Sequence, residues 1–199
     1  MLQKKLVLGS SSPYRKELLE RLGIPFECIS ADIDETRKDG ESAEALCVRL
    51  AREKALKVKE LAPDAIVIGS DQVAVLGDRI LGKPHTHERA VEQLSAMQGQ
   101  TVYFLTALCV VGADGKIFET MVPTIVAMKK LSRSTIEHYL DREQPFNCAG
   151  SAKIEKLGIA LMKEVRSTDP TALIGLPLIE TVNLLAKAGL EVIDGISEA

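Results

Sequence analysis

The spacing of apolar positions along this chain changes repeatedly, and the changes divide it into elements. Residues 5–9 read as a short buried strand, aliphatic and β-branched, that ends in Gly9-Ser10. Pro13 then sits in the first turn of a helix with Ser12 as its N-cap, Leu18, Leu19 and Leu22 as its apolar stripe, and Gly23 as its stop. Residues 26–29 predict a second short strand. Ser42 caps a long amphipathic helix carrying Leu46, Leu50, Ala51, Ala55 and Val58 at helical spacing, broken by Pro63-Asp64. Residues 65–69 form another buried strand, and extended structure resumes over 73–76 before a turn at Gly77-Asp78. Thr86 caps a helix through Met97. Residues 101–112 and 116–128 predict two long strands, and the turn Ala113-Asp114-Gly115 between them predicts a hairpin. Ser132 caps a helix to about Asp141, and a loop follows over 147–151. Pro177 begins a last helix with Leu178, Val182, Leu184 and Leu185, stopped by Gly189; the tail from residue 194 is expected to fray.

Strands and helices alternate early, and a long hairpin occupies the middle, which predicts a mixed α/β class. No repeat, low-complexity run or linker interrupts the pattern, so residues 1–199 read as a single domain with two lobes. Apolar residues make up 46% and charged residues 27%, enough for a sizeable core and a solvated surface, which excludes disordered and fibrous classes. The net charge of −3, with both signs interspersed, leaves no broad basic face for duplex nucleic acid or an anionic membrane. A local pocket of Lys and Arg for a small anion is compatible with that balance. The four cysteines, Cys28, Cys47, Cys109 and Cys148, form no C-x-x-C pair. Three sit among apolar neighbours and read as buried free thiols, and Cys148 lies in a polar run with no base beside it. Reduced thiols, a leading apolar run too short for a signal peptide, and the lack of any span-length apolar stretch together predict a cytoplasmic protein.

Four segments carry candidate chemistry. Gly9-Ser10-Ser11-Ser12-Pro13-Tyr14-Arg15-Lys16 places hydroxyls, free backbone N–H groups and two cations at a helix start, a setting suited to phosphate oxygens, although a capped helix with solvated cations has the same sequence. Asp32-Ile33-Asp34-Glu35-Thr36 concentrates carboxylates that repel one another unless a cation compensates, as a magnesium or manganese ion on a polyphosphate does; a surface acidic loop is the alternative. In Gly69-Ser70-Asp71-Gln72 an ionisable group follows directly on an apolar strand. Asp71 is thereby a candidate general base, metal ligand or both, against the plainer reading of an Asx turn closing the strand. Gly82-Lys83-Pro84 offers a point charge on a stiffened loop. Lys54, in Arg52-Glu53-Lys54-Ala55, lies on the long helix, where a lysine is usually just solvated, and its own segment does not decide its role. The three histidines, His85, His87 and His138, show no metal-ligand spacing.

Taken in order, Ser10-Ser-Ser-Pro-Tyr-Arg15, Asp34-Glu35, Arg52-Glu-Lys54-Ala, Gly69-Ser-Asp71-Gln72, Gly82-Lys83-Pro84, Cys148-Ala-Gly-Ser151 with Glu155, and Gly175-Leu-Pro177 span nearly the whole chain. This ordered set resembles the Maf family of nucleotide pyrophosphatases. The resemblance implies an α/β fold of the inosine-triphosphatase-like type: a mixed twisted sheet with flanking helices, two lobes around a cleft, commonly a homodimer. It implies attack of water on a nucleoside triphosphate with a divalent metal present, Mg2+ or Mn2+. Asp71 becomes the proton acceptor, Ser10, Arg15, Lys54 and Lys83 surround the phosphates, and Glu35 joins Asp71 toward the metal. Tyr14, Gln72 and Glu155 stand where the family selects its base.

Within the family, the branch acting on 7-methyl-GTP is the nearer one. Tyr14 resembles that branch's aromatic residue rather than the Arg of the thymidine/uridine branch, and Glu155 stands where the other branch has Gln. A methylated guanine is positively charged, which favours an aromatic face and a carboxylate, and a carboxylate also accepts from guanine N–H groups. Lys156, where the family often has Gly, places a cation beside Glu155. Two other functions accommodate the same residues: a dTTP/UTP pyrophosphatase, and a non-catalytic nucleotide-binding regulator of cell division.

Overall fold

The computed structural model describes residues 5–193; the expected fraying from residue 194 lies outside the described residues. The chain forms two compact units. The first takes residues up to Asp71, Thr106–Val122 and residues from Asp169 on; the second takes Gln72–Leu105 and Pro123–Thr168. Strand order in the mixed sheet is β2-β1-β3-β5-β6-β7, with β4 paired to β3, where β1 is Leu6–Leu8, β2 Glu27–Cys28, β3 Ile66–Leu76, β4 Arg79–Leu81, β5 Thr101–Val111, β6 Ile117–Met128 and β7 Met162–Ser167. The helices are α1 Pro13–Glu20, α2 Ala43–Leu61, α3 His87–Met97, α4 Arg133–Glu143 and α5 Leu178–Lys187. This is the mixed α/β class that the apolar pattern predicts.

In the first unit, β1 pairs in parallel with β2 and with β3, in register Leu6↔Ile66 and Leu8↔Ile68. All three residues of β1 are buried, as parallel strands covered on both faces require. Leu18 and Leu19 of α1 and Leu184 and Leu185 of α5 close over Leu6, Leu8, Ile66 and Ile68 to make the core. Ser42 caps α2 by accepting from Ala45 N at 3.1 Å. The buried stripe of α2 is Leu46, Cys47, Leu50, Ala51, Lys54, Ala55 and Val58, an unbroken helical register that includes one lysine. At Gly69 the helix backbone comes so near to β3 that an added Cβ would lie 2.3 Å from Ala51 O.

The polar run Ser70-Asp71-Gln72 does not end the strand as the sequence pattern predicts, and β3 continues to Leu76. The physical reason is that the polar groups are satisfied inside the structure. Ser70 Oγ lies 2.8 Å from Ala107 O and 3.0 Å from Gly175 O, and Asp71 is paired by Lys54.

In the second unit, β3 carries β4 antiparallel, and β6 carries β7 antiparallel from Thr124↔Ser167 to Met128↔Met162. The open end of the β5–β6 hairpin belongs here and is closed by Met128 N to Gln100 O at 2.9 Å, whereas its turn, closed by Gly112 N to Lys116 O at 2.8 Å, belongs to the first unit. Helices α3 and α4 pack together, burying Ala90, Leu94, Met97, Ile136 and Leu140. Both are capped where predicted, by Thr86 and Ser132.

None of the four cysteines is in a disulfide. Cys47 and Cys109 are buried, but Cys28 is exposed, because β2 is a two-residue strand at the end of the sheet and its outer side is uncovered. Burial, reinforced by the nearby Glu119 carboxylate, pushes the Cys109 thiol up to about 12, so it stays protonated. Among the described residues, no helix is long and apolar enough to cross a membrane.

Candidate active site

Two groups of predicted residues assemble in the first unit. One forms at the turn from β1 into α1. Gly9 N donates to Ile68 O at 2.7 Å, and Ser12 N donates to Ser10 Oγ at 3.1 Å, which folds the serines over the start of α1. Ser12 caps the helix by accepting from Arg15 N at 3.4 Å. The Arg15 side chain turns back, its Nε donating to Gly175 O at 2.9 Å and its Nη1 lying 3.5 Å from Ser10 Oγ. The remaining N–H donors of this half-buried guanidinium meet no partner among the described residues. Unspent donors beside a helix N-terminus have the chemistry that suits anionic oxygens. Tyr14 is half-buried in the same turn.

The second group is an ion-paired triad. Lys54 Nζ donates to Asp71 Oδ1 at 2.6 Å and lies 2.7 Å from Glu35 Oε1. Lys54 and Asp71 are both 7% exposed, whereas the Glu35 side chain is half exposed. Lys54 is therefore not the solvated lysine usual on a helix: it occupies a core position of α2, and only its carboxylate partners make that burial tolerable. Asp71 sits within an extended strand rather than in a loop beyond its end. Its backbone carbonyl accepts from the Cys47 thiol at 3.3 Å.

The acidic loop is fixed to α2 by Arg49. This side chain donates to Glu41 through Nε and Nη2, to Glu53 through Nη1, and to Thr36 O at 3.0 Å through Nη2. Asp34 accepts from Thr36 N at 2.9 Å, and hydrogen bonding from the Thr36 side chain, with this backbone bond second, holds its carboxyl below the usual range. Glu35, between them, is thereby directed toward Lys54. The Arg49 hydrogen bond also holds Glu41 at about 2, against an ordinary 4.5. A carboxyl lowered by folding contributes its full stability above the unfolded value and loses it as pH falls toward the folded one. We expect urea unfolding of the native protein and of Glu41→Gln to differ most above pH 5, with the gap closing between pH 4.5 and about 2. Equal midpoints at pH 6 would remove Arg49–Glu41 as the anchor of this loop.

Among the described residues, no group of three or more His, Cys, Asp or Glu side chains is arranged to hold a metal ion. Glu35 and Asp71 nevertheless converge on one cation, the Lys54 ammonium. Their hard oxygen donors match the one or two carboxylates with which Mg2+ is held when phosphates and water complete its shell. The residues present fit a metal brought in with a polyphosphate. His87 is instead edge-on to Phe146 at 6.3 Å, and its Nε2 lies 3.5 Å from Asp141.

The other predicted residues belong to the second unit. Gln72 follows Asp71 in β3, where successive side chains alternate between faces. Lys83 is exposed next to Gly82, whose carbonyl accepts from Gln93 Nε2 at 3.0 Å. Gln93 Oε1 in turn accepts from Ser151 Oγ at 2.7 Å, so a single α3 side chain ties the Gly82-Lys83-Pro84 loop to the turn at Ser151. Sequence reasoning gave Gln93 no role, since an isolated helix glutamine carries no signal. Glu155 is exposed in the turn after Lys153, whose N donates to Tyr139 Oη at 3.0 Å. Burial pushes the Tyr139 phenol up, with the charges of Cys148, Glu143 and Glu155 adding to the effect. Lys156 forms no ion pair with Glu155.

Comparison with known proteins bears on the whole chain. The family model described as "Maf-like protein" matches residues 5–188. The chain is 54% identical to a 7-methyl-GTP pyrophosphatase of Nitrosococcus oceani, over 94% of this chain and 95% of that protein. It is 49% identical to a 7-methyl-GTP pyrophosphatase of Colwellia psychrerythraea, over 96% of both chains. A solved structure of a nucleoside-triphosphatase / dITP/XTP pyrophosphatase from Mycobacterium abscessus aligns with a TM-score of 0.41 at 15% identity, over 64% of this chain and 76% of that one.

Proposed function

This chain belongs to the Maf family, and from that premise we propose that it hydrolyses 7-methyl-GTP to 7-methyl-GMP and diphosphate. The observation that carries the substrate assignment is near-full-length identity of 49% and 54% to proteins of that activity. The chemistry is supported by the Lys54–Asp71–Glu35 triad and by the unspent donors of Arg15 in the first unit.

In this reading Ser10 and Arg15 bind phosphate oxygens of the triphosphate, and Lys54 and Lys83 supply further positive charge. Glu35 and Asp71 would hold a divalent cation, Mg2+ or Mn2+, which supplies charge neutralisation for the polyphosphate when bound. Asp71 accepts a proton from water as the water oxygen bonds to the α-phosphorus, and the bond from that phosphorus to the bridging oxygen breaks. The electron pair leaves with diphosphate, and positive charge from Arg15 and the lysines offsets its developing charge. Tyr14 offers its ring to the cationic methylated base, Glu155 accepts from the guanine edge, and Gln72 completes base selection. Residues 1–199 act as one catalytic domain, as a homodimer in the cytoplasm. Cysteines outside any disulfide fit a reducing compartment.

The test is diphosphate release from a panel of 7-methyl-GTP, GTP, UTP and dTTP, with and without Mg2+ or Mn2+. We expect metal-dependent release, highest in kcat/KM for 7-methyl-GTP. Saturable binding without release would make the protein a nucleotide sensor, and orthophosphate release would make it a phosphomonoesterase. Preference for UTP and dTTP would place it in the pyrimidine branch. For base choice, the double variant Tyr14→Arg with Glu155→Gln should move preference toward UTP and dTTP by roughly tenfold or more, the scale of losing one charged hydrogen-bonded contact. An unchanged ranking would sink the assignment of those two residues.

A further inference from the structure

The segment following β7 contains a buried carboxylate that the reaction does not use. Asp169 is 1% exposed, yet it lies on neither the phosphate turn nor the triad. Its Oδ1 accepts from Thr171 N at 2.9 Å and lies 2.8 Å from Thr171 Oγ1, and its Oδ2 accepts from Ile179 N at 2.7 Å. Thr171 Oγ1 also accepts from Leu178 N and lies 2.8 Å from Leu176 O. These bonds join the two ends of the segment 169–178 and close it into a rigid loop against the first turn of α5.

Two carbonyls of the loop are bonded outside it, Ala172 O to Thr106 Oγ1 at 2.9 Å and Gly175 O to the phosphate turn. Gly175 O accepts from Arg15 Nε at 2.9 Å across 160 residues of sequence, and Ser70 Oγ, one residue before Asp71, lies 3.0 Å from the same oxygen. Gly175 has φ +124, a conformation that side-chain-bearing residues avoid, so this carbonyl direction depends on glycine. An arginine side chain has several soft torsions, and fixing its Nε to a rigid acceptor orients the whole planar guanidinium. The donors left over are then aimed before any phosphate arrives, which removes an ordering cost from binding.

We infer that Asp169 and Gly175 are positioning residues for Arg15: the Asp169-closed loop holds the Gly175 carbonyl on Arg15 Nε and so pre-orients the guanidinium for the triphosphate. The inference rests on the assignment of Arg15 as a phosphate ligand. It extends that assignment to two residues that touch no substrate.

The experiment is a double-mutant cycle in kcat/KM for diphosphate release from 7-methyl-GTP, with thermal unfolding followed in parallel. Arg15→Ala alone should lower kcat/KM by roughly ten- to a hundredfold, the scale of a charge-assisted phosphate contact. Gly175→Ala and Asp169→Asn should each lower it by roughly five- to tenfold in the native background, and by less than about twofold when Arg15 is already Ala. A purely structural role predicts equal losses in both backgrounds, and that result overturns the inference. So does a native-background Gly175→Ala that keeps full kcat/KM. If Asp169→Asn fails to fold, Thr171→Val takes its place in the cycle, since it removes the hydroxyl that ties the loop's ends and leaves the Gly175 backbone and Arg15 untouched. Full activity in Arg15→Ala marks a different failure, that of the phosphate assignment itself.

Discussion

Replacing Asp71 by Asn is expected to reduce turnover of 7-methyl-GTP by about 10²–10⁴, with the fold retained. The substitution keeps the shape of a side chain that is 7% exposed inside a continuous strand, and it removes the charge that accepts the proton in the proposed reaction. Loss of a general base costs about that factor, equivalent to roughly 3–5 kcal/mol of barrier. The same change leaves the buried Lys54 ammonium with Glu35 as its acidic partner, and the Glu35 side chain is half exposed. Some loss of stability therefore accompanies the loss of rate. The two separate in one measurement, single-turnover diphosphate release at saturating Mg2+ on protein whose melting curve is recorded alongside. Near-full turnover in folded Asp71→Asn would sink the assignment of Asp71. A slow variant with native KM places the loss in the chemical step rather than in binding.

The elements of this fold were legible wherever period and caps agreed. The Ser12, Ser42, Thr86 and Ser132 caps, the break after α2 and the central hairpin all follow from local chemistry. The elements that were not legible are those whose apolar pattern is weak. β7 reads Met-Lys-Glu-Val-Arg-Ser and exposes all but its first residue, and it exists because it completes hydrogen bonds with β6. The sequence pattern divides β3 in two because Ser70 and Asp71 are polar. Their partners, Ala107, Gly175 and Lys54, lie 37, 105 and 17 residues away, and no local rule sees them. Lys54 did carry a signal. It falls three positions after Ala51 and four before Val58, on the buried stripe itself, and a lysine in that register demands a buried carboxylate. The remaining candidate site residues rest on ordered resemblance, because a serine turn, an acidic loop or a Gly-Lys-Pro segment is ambiguous by itself.

That register makes Gly69 the position where fold and site meet, and Gly69→Ala is the second substitution of large expected effect. A methyl group there would lie 2.3 Å from Ala51 O, 2.7 Å from Ala55 N and 2.8 Å from Ala55 Cβ. Real Cβ atoms do not approach so closely, and two of the three neighbours are backbone atoms of a 19-residue helix. A side-chain rotamer change cannot relieve such contacts, so α2 must move off β3. The expected cost is about 3 kcal/mol or more, the upper range for overpacking, and it should lower the melting temperature by roughly 6–12 °C for a chain of this length. Gly77→Ala is the control. It carries φ +58 but would meet nothing within 4 Å, so it pays only backbone strain of about 1–2 kcal/mol. Lys54 lies between Ala51 and Ala55 on the displaced face, so the shift also draws its ammonium away from Asp71. Activity per folded molecule should fall with stability in Gly69→Ala and hold in Gly77→Ala. A Gly69→Ala protein that melts with the native one would mean that α2 does not press on β3 at this point, and the 2.6 Å Lys54–Asp71 contact would lose its structural basis.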